Sequence, residues 1–220
     1  MKKAMLVCCV LGVFACTAGA ELIDVLPLGV DPNYFTCSYS SGNVTIDSKI
    51  ALPAGAAAYT IGQNTGYSGD IYLSSEISTS ASAKSEVGLI ARGNMSTFST
   101  YALTLNFNSG TFNLIKAKNF AANNLDWAEV DDIDPTKTYT MTFSAIGSNL
   151  VGKLYDGGTL IATRSATDSE YASGAFGTLG FNPVPGNYMH AVWTNAQVIP
   201  EPVTIVMLAL GMGALLRRRK

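Results

Sequence analysis

The sequence predicts an all-β fold, an antiparallel two-sheet jelly-roll sandwich, and three observations carry that prediction. Val, Ile, Thr, Tyr and Phe dominate the middle of the chain, where apolar residues recur at every second position. Turn signals punctuate these runs at Asn108-Ser109-Gly110 and Asp156-Gly157-Gly158, which supply the positive-φ residues that short hairpins need. Sustained apolar runs occur only at the two ends of the chain. About ten to twelve short strands in one domain require two stacked antiparallel sheets.

The elements follow in order. Lys2 and Lys3 precede an apolar run from Ala4 to Ala15, and Ala18-Gly19-Ala20 places small residues where a signal peptidase reads. Residues 1–20 are therefore expected to be a signal peptide, with the mature chain starting at Glu21. Lipidation at Cys16 is a second reading, which the bulky Phe14 just before it fits poorly. Residues 21–198 are expected to form one β-sandwich ectodomain, long enough for a real core. Its first pattern is YFTCSYS, where Cys37 alternates with Phe35 and Tyr39 and reads as a small buried residue. Cys8, Cys9 and Cys16 leave with the signal peptide, so no intrachain disulfide is expected.

Strands are expected at residues 70–79 and 86–92. YALTLNF then directs Tyr101, Leu103, Leu105 and Phe107 inward, and TFNLIKAK returns from the Asn-Ser-Gly turn. In TYTMTFSA, Tyr139, Met141, Phe143 and Ala145 take the inner face, with Thr140, Thr142 and Ser144 on the outer one. NLVGKLY and TLIATRS form a hairpin, and strands at 175–182 and 188–198 close the domain. His190 alternates with Tyr188 and Val192 and reads as a core residue; as the chain's one histidine it excludes a multi-histidine metal site.

Without its two ends the chain carries eight cations against fifteen acids, a formal net charge of −7 where the whole chain has −2. Nucleic acid is excluded as a partner, because phosphate binding needs a basic face. At the other end, Pro200-Glu201-Pro202 leads into an uncharged apolar run over 203–216, and Arg217, Arg218, Arg219 and Lys220 finish the chain. Fourteen residues at ~1.5 Å each reach about 21 Å, short of the ~30 Å hydrocarbon core, so residues 199–220 read as a weak, temporary transmembrane anchor. The cations hold that end on the cytoplasmic side of the inner membrane. A buried C-terminal helix is the competing reading, but it would not be apolar on every face.

The ordered set of PEP turn, short apolar helix and terminal arginines resembles the PEP-CTERM sorting signal of Gram-negative bacteria. That resemblance implies recognition by an exosortase, removal of the tail near Pro200–Pro202, and delivery to the cell surface or the exopolysaccharide matrix. The strand succession from GDIYLSSEI through EVGLIAR, TYALTLNF, KTYTMTFSAIGSNLVGKLY and GAFGTLGF to AVWTNAQV resembles the concanavalin A-like, laminin-G-like jelly roll. Relatives of that kind often place an Asp-Asn pair in the closing strand. This chain has Thr194-Asn195, which argues against a ligand site there.

Candidate chemistry concentrates in an acidic stretch. Glu129, Asp131 and Asp134 superficially match the Glu-x-Asp-x-(x)-Glu of laminarinase-type glucanases, making a secreted polysaccharide hydrolase the alternative function. Retaining hydrolysis needs two carboxyls about 5–5.5 Å apart. Asp134 is one methylene short, Asp132 replaces an apolar residue, and Pro135 ends a strand, so a solvated turn competes with the catalytic reading. Asp126, Asp132 and Asp134, with their acidic neighbours, offer hard oxygen ligands for Ca²⁺. Trp127 beside Asn123 and Asn124 reads either as a sugar-stacking platform, with Asp131 and Asp134 orienting the ligand, or as a plug of the sandwich edge. The expected function is a non-catalytic, exported carbohydrate-binding or adhesive domain.

Overall fold

The computed structural model describes residues 21–23, 25–26, 30–62, 69–94 and 96–199. The expected signal peptide and sorting tail, including Pro200, Glu201, Pro202 and Arg217–Arg219, lie outside them. Fifteen strands and no helix occur among the described residues. In chain order they are β1 (Glu21–Leu22), β2 (Val25–Leu26), β3 (Phe35–Ser40), β4 (Asn43–Ser48), β5 (Ala57–Gly62), β6 (Ile71–Thr79), β7 (Glu86–Asn94) and β8 (Ser99–Asn106). Then follow β9 (Thr111–Lys118), β10 (Ala121–Glu129), β11 (Tyr139–Ile146), β12 (Asn149–Asp156), β13 (Thr159–Thr167), β14 (Ala175–Phe181) and β15 (His190–Ile199).

They build two antiparallel sheets. One has eight strands in the order β13-β12-β11-β6-β15-β4-β3, with β1 added alongside β15. The other has seven, in the order β10-β9-β8-β7-β14-β5-β2. The expected inner residues meet between them. Tyr101, Leu103, Leu105 and Phe107 of the second sheet and Tyr139, Met141, Phe143 and Ala145 of the first all belong to one buried cluster. Alternation at period two explains this directly, since each pleat delivers every second side chain to the same side. Close packing of the sheets also dictates Gly152, where a Cβ would stand 2.1 Å from Leu103 Cδ1. The β8–β9 turn is built as its residues suggest. Asn106 Oδ1 accepts the Asn108 and Ser109 amides at 3.0 and 3.1 Å, and Gly110 takes φ +71°.

Four expectations are corrected. Residues 121–129, where no strand is expected from the sequence, form one. Its signal was weak because β10 is an edge strand whose faces are both largely exposed, and a bulge between Asn124 and Asp126 breaks its alternation. Strand β15 is bulged between Thr194 and Gln197, with Asn195 at φ +52°. Its inward set is consequently Ala191 and Trp193 before the bulge, Ala196 and Val198 after it. His190 therefore falls on the outer face, half-exposed, with Nδ1 2.5 Å from Asp47 Oδ1. Cys37 is half-buried rather than buried, and Tyr39 is exposed, because β3 is the edge of its sheet.

A polar latch ties the β13–β14 connection to the second sheet. The Tyr101 hydroxyl donates to Asp168 Oδ1 at 2.5 Å and accepts the Tyr171 amide at 3.0 Å. Lys116 Nζ donates to Asp168 Oδ2 at 2.5 Å and reaches Glu170 at 3.1 Å. Burial and the neighbouring Asp168 carboxylate push the Tyr101 phenol up to about 12.

Candidate functional site

The outward face of the seven-stranded sheet is not a uniform polar surface. Register places its side chains in three parallel rows. The middle row runs Trp127, Asn113, Thr104, Gly88, Leu179 and Tyr59 across β10, β9, β8, β7, β14 and β5. Two residues along the strands, a second row holds Glu129, Thr111, Asn106, Glu86, Phe181 and Ala57. In the other direction a third row holds Asn124, Ile115, Ala102 and Ile90. Part of these rows, including Asn113, Thr104, Leu179, Glu86, Ile115 and Ala102, forms the floor of a groove of about 560 Å³, walled by Trp127 at the β10 edge and by Phe98 and Phe120 at one end.

Glu86 sits in the floor with only 9% of its surface exposed. Thr104 Oγ1 donates to its Oε1 at 2.5 Å and Asn106 Nδ2 donates to its Oε2 at 3.2 Å, with Asn113 Nδ2 at 3.5 Å from Oε1. Burial raises the Glu86 carboxyl above its ordinary range, against the lowering effect of these three donors. It is the one ionisable side chain among the described residues that line the groove. A carboxyl whose folded-state pKa is raised stabilises the fold below the unfolded value and loses that contribution as pH rises through the folded one. Glu86→Gln keeps an oxygen acceptor for Thr104 without the charge. Its stability relative to the native protein should rise with pH from about 4.5 upward. Thermal unfolding across a pH series checks this; a difference independent of pH would mean Glu86 is not perturbed.

Trp127 is 56% exposed, so it does not plug the sandwich edge. Its ring stands on the groove side of β10, while Asp126 on the opposite side accepts the Ser165 amide of β13 at 3.0 Å through Oδ2. The other predicted acids are elsewhere. Glu129 ends β10, and Asp131, Asp132 and Asp134 lie in the turn leading to β11. Asp134 Oδ1 accepts the Thr136 amide at 2.8 Å and hydroxyl at 2.7 Å, and its own amide donates to the Tyr139 hydroxyl at 2.9 Å. Those Thr136 bonds hold the Asp134 carboxyl below its ordinary value, the wrong direction for a general acid. The expected convergence of Trp127 with Asp131 and Asp134 is not formed in the groove, whose lining includes neither acid. Among the described residues no group of three His, Cys, Asp or Glu side chains gathers where it could hold a metal ion, and Asp126 lies apart from Asp132 and Asp134, in β10 rather than in the turn. Asp126 is turned to the far face by the same bulge that keeps Trp127 outward.

The aromatic end is unusual in its backbone. Phe98, Asn119 and Phe120 have φ of +45°, +51° and +65°, a region bulky residues seldom occupy. The Phe98 and Phe120 rings stack at 5.4 Å and 12°, and Tyr59 meets Phe98 at 5.2 Å. The Asn119 amide donates to Ser99 Oγ at 3.2 Å, pinning the turn. Sequence reasoning missed Glu86, Phe98 and Phe120. The one available signal was a Glu heading the otherwise apolar strand EVGLIA.

Comparison with solved structures finds the same fold. A carbohydrate-binding module from Bacillus subtilis superposes with a TM-score of 0.62 at 18% identity, covering 81% of this chain and 97% of that one. The fold is a lectin-like jelly roll. A legume lectin-like domain from Entamoeba histolytica gives 0.54 at 10% identity, over 83% of this chain and all of that one. The VIP36 exoplasmic/lumenal domain, in its Ca²⁺/Man3GlcNAc-bound form, gives 0.55 at 8% identity over 83% and 87%. No protein-family profile matches the chain, and comparison with curated proteins finds no match.

Proposed function

We propose that the protein is a non-catalytic carbohydrate-binding jelly roll that seats a glycan in the groove of the seven-stranded sheet. The observation that carries this is Trp127, an exposed indole in register with Asn113 and Thr104 and beside the Glu86 network. A sugar presents C–H groups on its ring faces and hydroxyls at its edge, which match an aromatic platform flanked by amide and hydroxyl partners. The solved structures support the reading through their fold, several of them being sugar-binding proteins by name.

Among the described residues, Glu86 is not paired with a second carboxylate for hydrolysis. Glu86 and Glu129 share a row but lie three strand spacings apart, about 14 Å, against the ~5–9.5 Å that glycosidases use. The order of signals in the sequence supports export by signal peptidase, brief anchorage in the inner membrane, and exosortase processing for the surface matrix. Intact-mass measurement of the mature termini tests that half: an outer-surface form retaining Arg217–Lys220 would refute it. For the site, Trp127→Ala should abolish glycan-array binding while the unfolding temperature stays within a few degrees, because the ring is exposed. Undiminished binding would place the site elsewhere.

A further inference from the structure

We infer that the groove selects neutral glycans whose sugars carry methyl-ended substituents, acetamido or deoxy groups, and turns away uronate- or sulfate-bearing chains. The inference rests on the carbohydrate-binding reading above and names the class of sugar. Charge is its first support. No lysine or arginine is among the described residues lining the groove, and Glu86 is buried in its floor. An anionic sugar would find no cation and would face a carboxyl.

The second support is a gradient along the strands. One end offers Glu86, Asn113 and Thr104. At the other, Ile90, Ala102 and Leu179 form an apolar cluster separate from the sandwich core, with Tyr59, Phe98 and Ile115 packed against it. A hexose bearing a hydroxyl on every free ring carbon would desolvate some of them over this end without a partner, at a cost. A methyl group placed there is instead removed from water. Asn124, in register with Ile115 at the rim, carries both the donor and the acceptor that an acetamido amide requires.

The third support is Phe120. It stacks on Phe98 yet remains 72% exposed, on left-handed backbone that disfavours its bulk, and it lines the groove, so ring area is left for whatever enters there.

Calorimetric titration of the purified protein tests this with four probes of matched length: N-acetylglucosamine oligomers, a deoxyhexose-bearing oligosaccharide, an unsubstituted β-glucan and a polyuronate. Each sheltered methyl should strengthen binding about fourfold over the β-glucan, and the polyuronate should not bind. Ile115→Thr, which sets a hydroxyl under that methyl, should bring the ratio towards one. Phe120→Asn suits the left-handed backbone, so it should fold and still lose the preference. Either variant keeping the full preference would overturn the inference. Trp127-dependent binding of β-glucan or polyuronate as tight as that of the methyl-bearing probes would also overturn it, and would leave the glycan-binding reading standing. Failure of all four probes would sink both.

Discussion

Replacing Arg92 by alanine should cost about 3–5 kcal/mol of folding stability, measurable by urea unfolding. The Arg92 side chain is 1% exposed, although it lies on left-handed backbone at φ +55°. Its guanidinium donates to the carbonyls of Gly69, Gly147, Tyr171 and Ala145 at 3.0, 2.6, 3.3 and 2.8 Å, and to Asp70 Oδ1 at 2.6 Å. One side chain thus joins the start of β6, the β11–β12 turn and the segment before β14. Alanine would leave the buried Ala145 carbonyl without its donor and remove the partly buried bonds to Gly69, Gly147 and Tyr171 together, and losing a buried partner is the expensive way to lose a hydrogen bond. Lysine should recover only part of the loss, because a point ammonium cannot spread five donors in a plane. Asp70→Asn should be far milder, about 1–2 kcal/mol, since the Asp70 side chain is 40% exposed and an amide oxygen still accepts. Similar costs for Arg92→Ala and Asp70→Asn would mean that the ion pair, not the carbonyl set, is what matters.

Phe143→Ala should also cost about 3–5 kcal/mol, and Thr142→Ala under about 1 kcal/mol. Phe143 is fully buried in the main core, and β11 pairs with β6 and β12 on either side, so the sheet has little freedom to collapse into the cavity. Thr142 is next in sequence but faces outward. Although it is only 8% exposed, its neighbours across the strands are Lys153 and Ser74 rather than core side chains. Equal midpoint shifts in chemical denaturation would contradict the assigned faces.

Both residues support the groove-bearing sheet: Arg92 belongs to its strand β7, and Phe143 lies in the core cluster that the sheet packs on. Leu103 and Leu105 of β8 press into the core on one face, while Ala102 and Thr104 form the groove floor on the other. The groove keeps its shape because each floor residue is rigidly coupled to a core neighbour through the backbone.

Period-two patterning was enough to determine the fold class, the β8–β9 and β12–β13 hairpins, and the inner faces of β8 and β11. Those features depend on local spacing and on turn residues, and both are written in consecutive letters. Trp127 was likewise legible as a residue of interest, since an indole among amides and acids is rare in any context. Its setting was not legible. Whether that ring plugs an edge or faces solvent depends on the bulge at Asn124/Asp126 and on which strand lies beside β10. The phase of β15 was hidden for the same reason, because an extra residue at Thr194–Gln197 shifts the alternation without changing composition. Glu86, Asn113 and Phe120 are distant in sequence, and only the strand order β10-β9-β8-β7 gathers them with Trp127 into one groove. The acids at 129–134 lie where β10 ends and the turn to β11 begins, and none of them lines the groove, a placement that their closeness along the chain did not reveal. Local periodicity determined which face of β8 and β11 is buried; long-range pairing decided the phase of β15, the setting of β10, and what the outward face of the second sheet gathers.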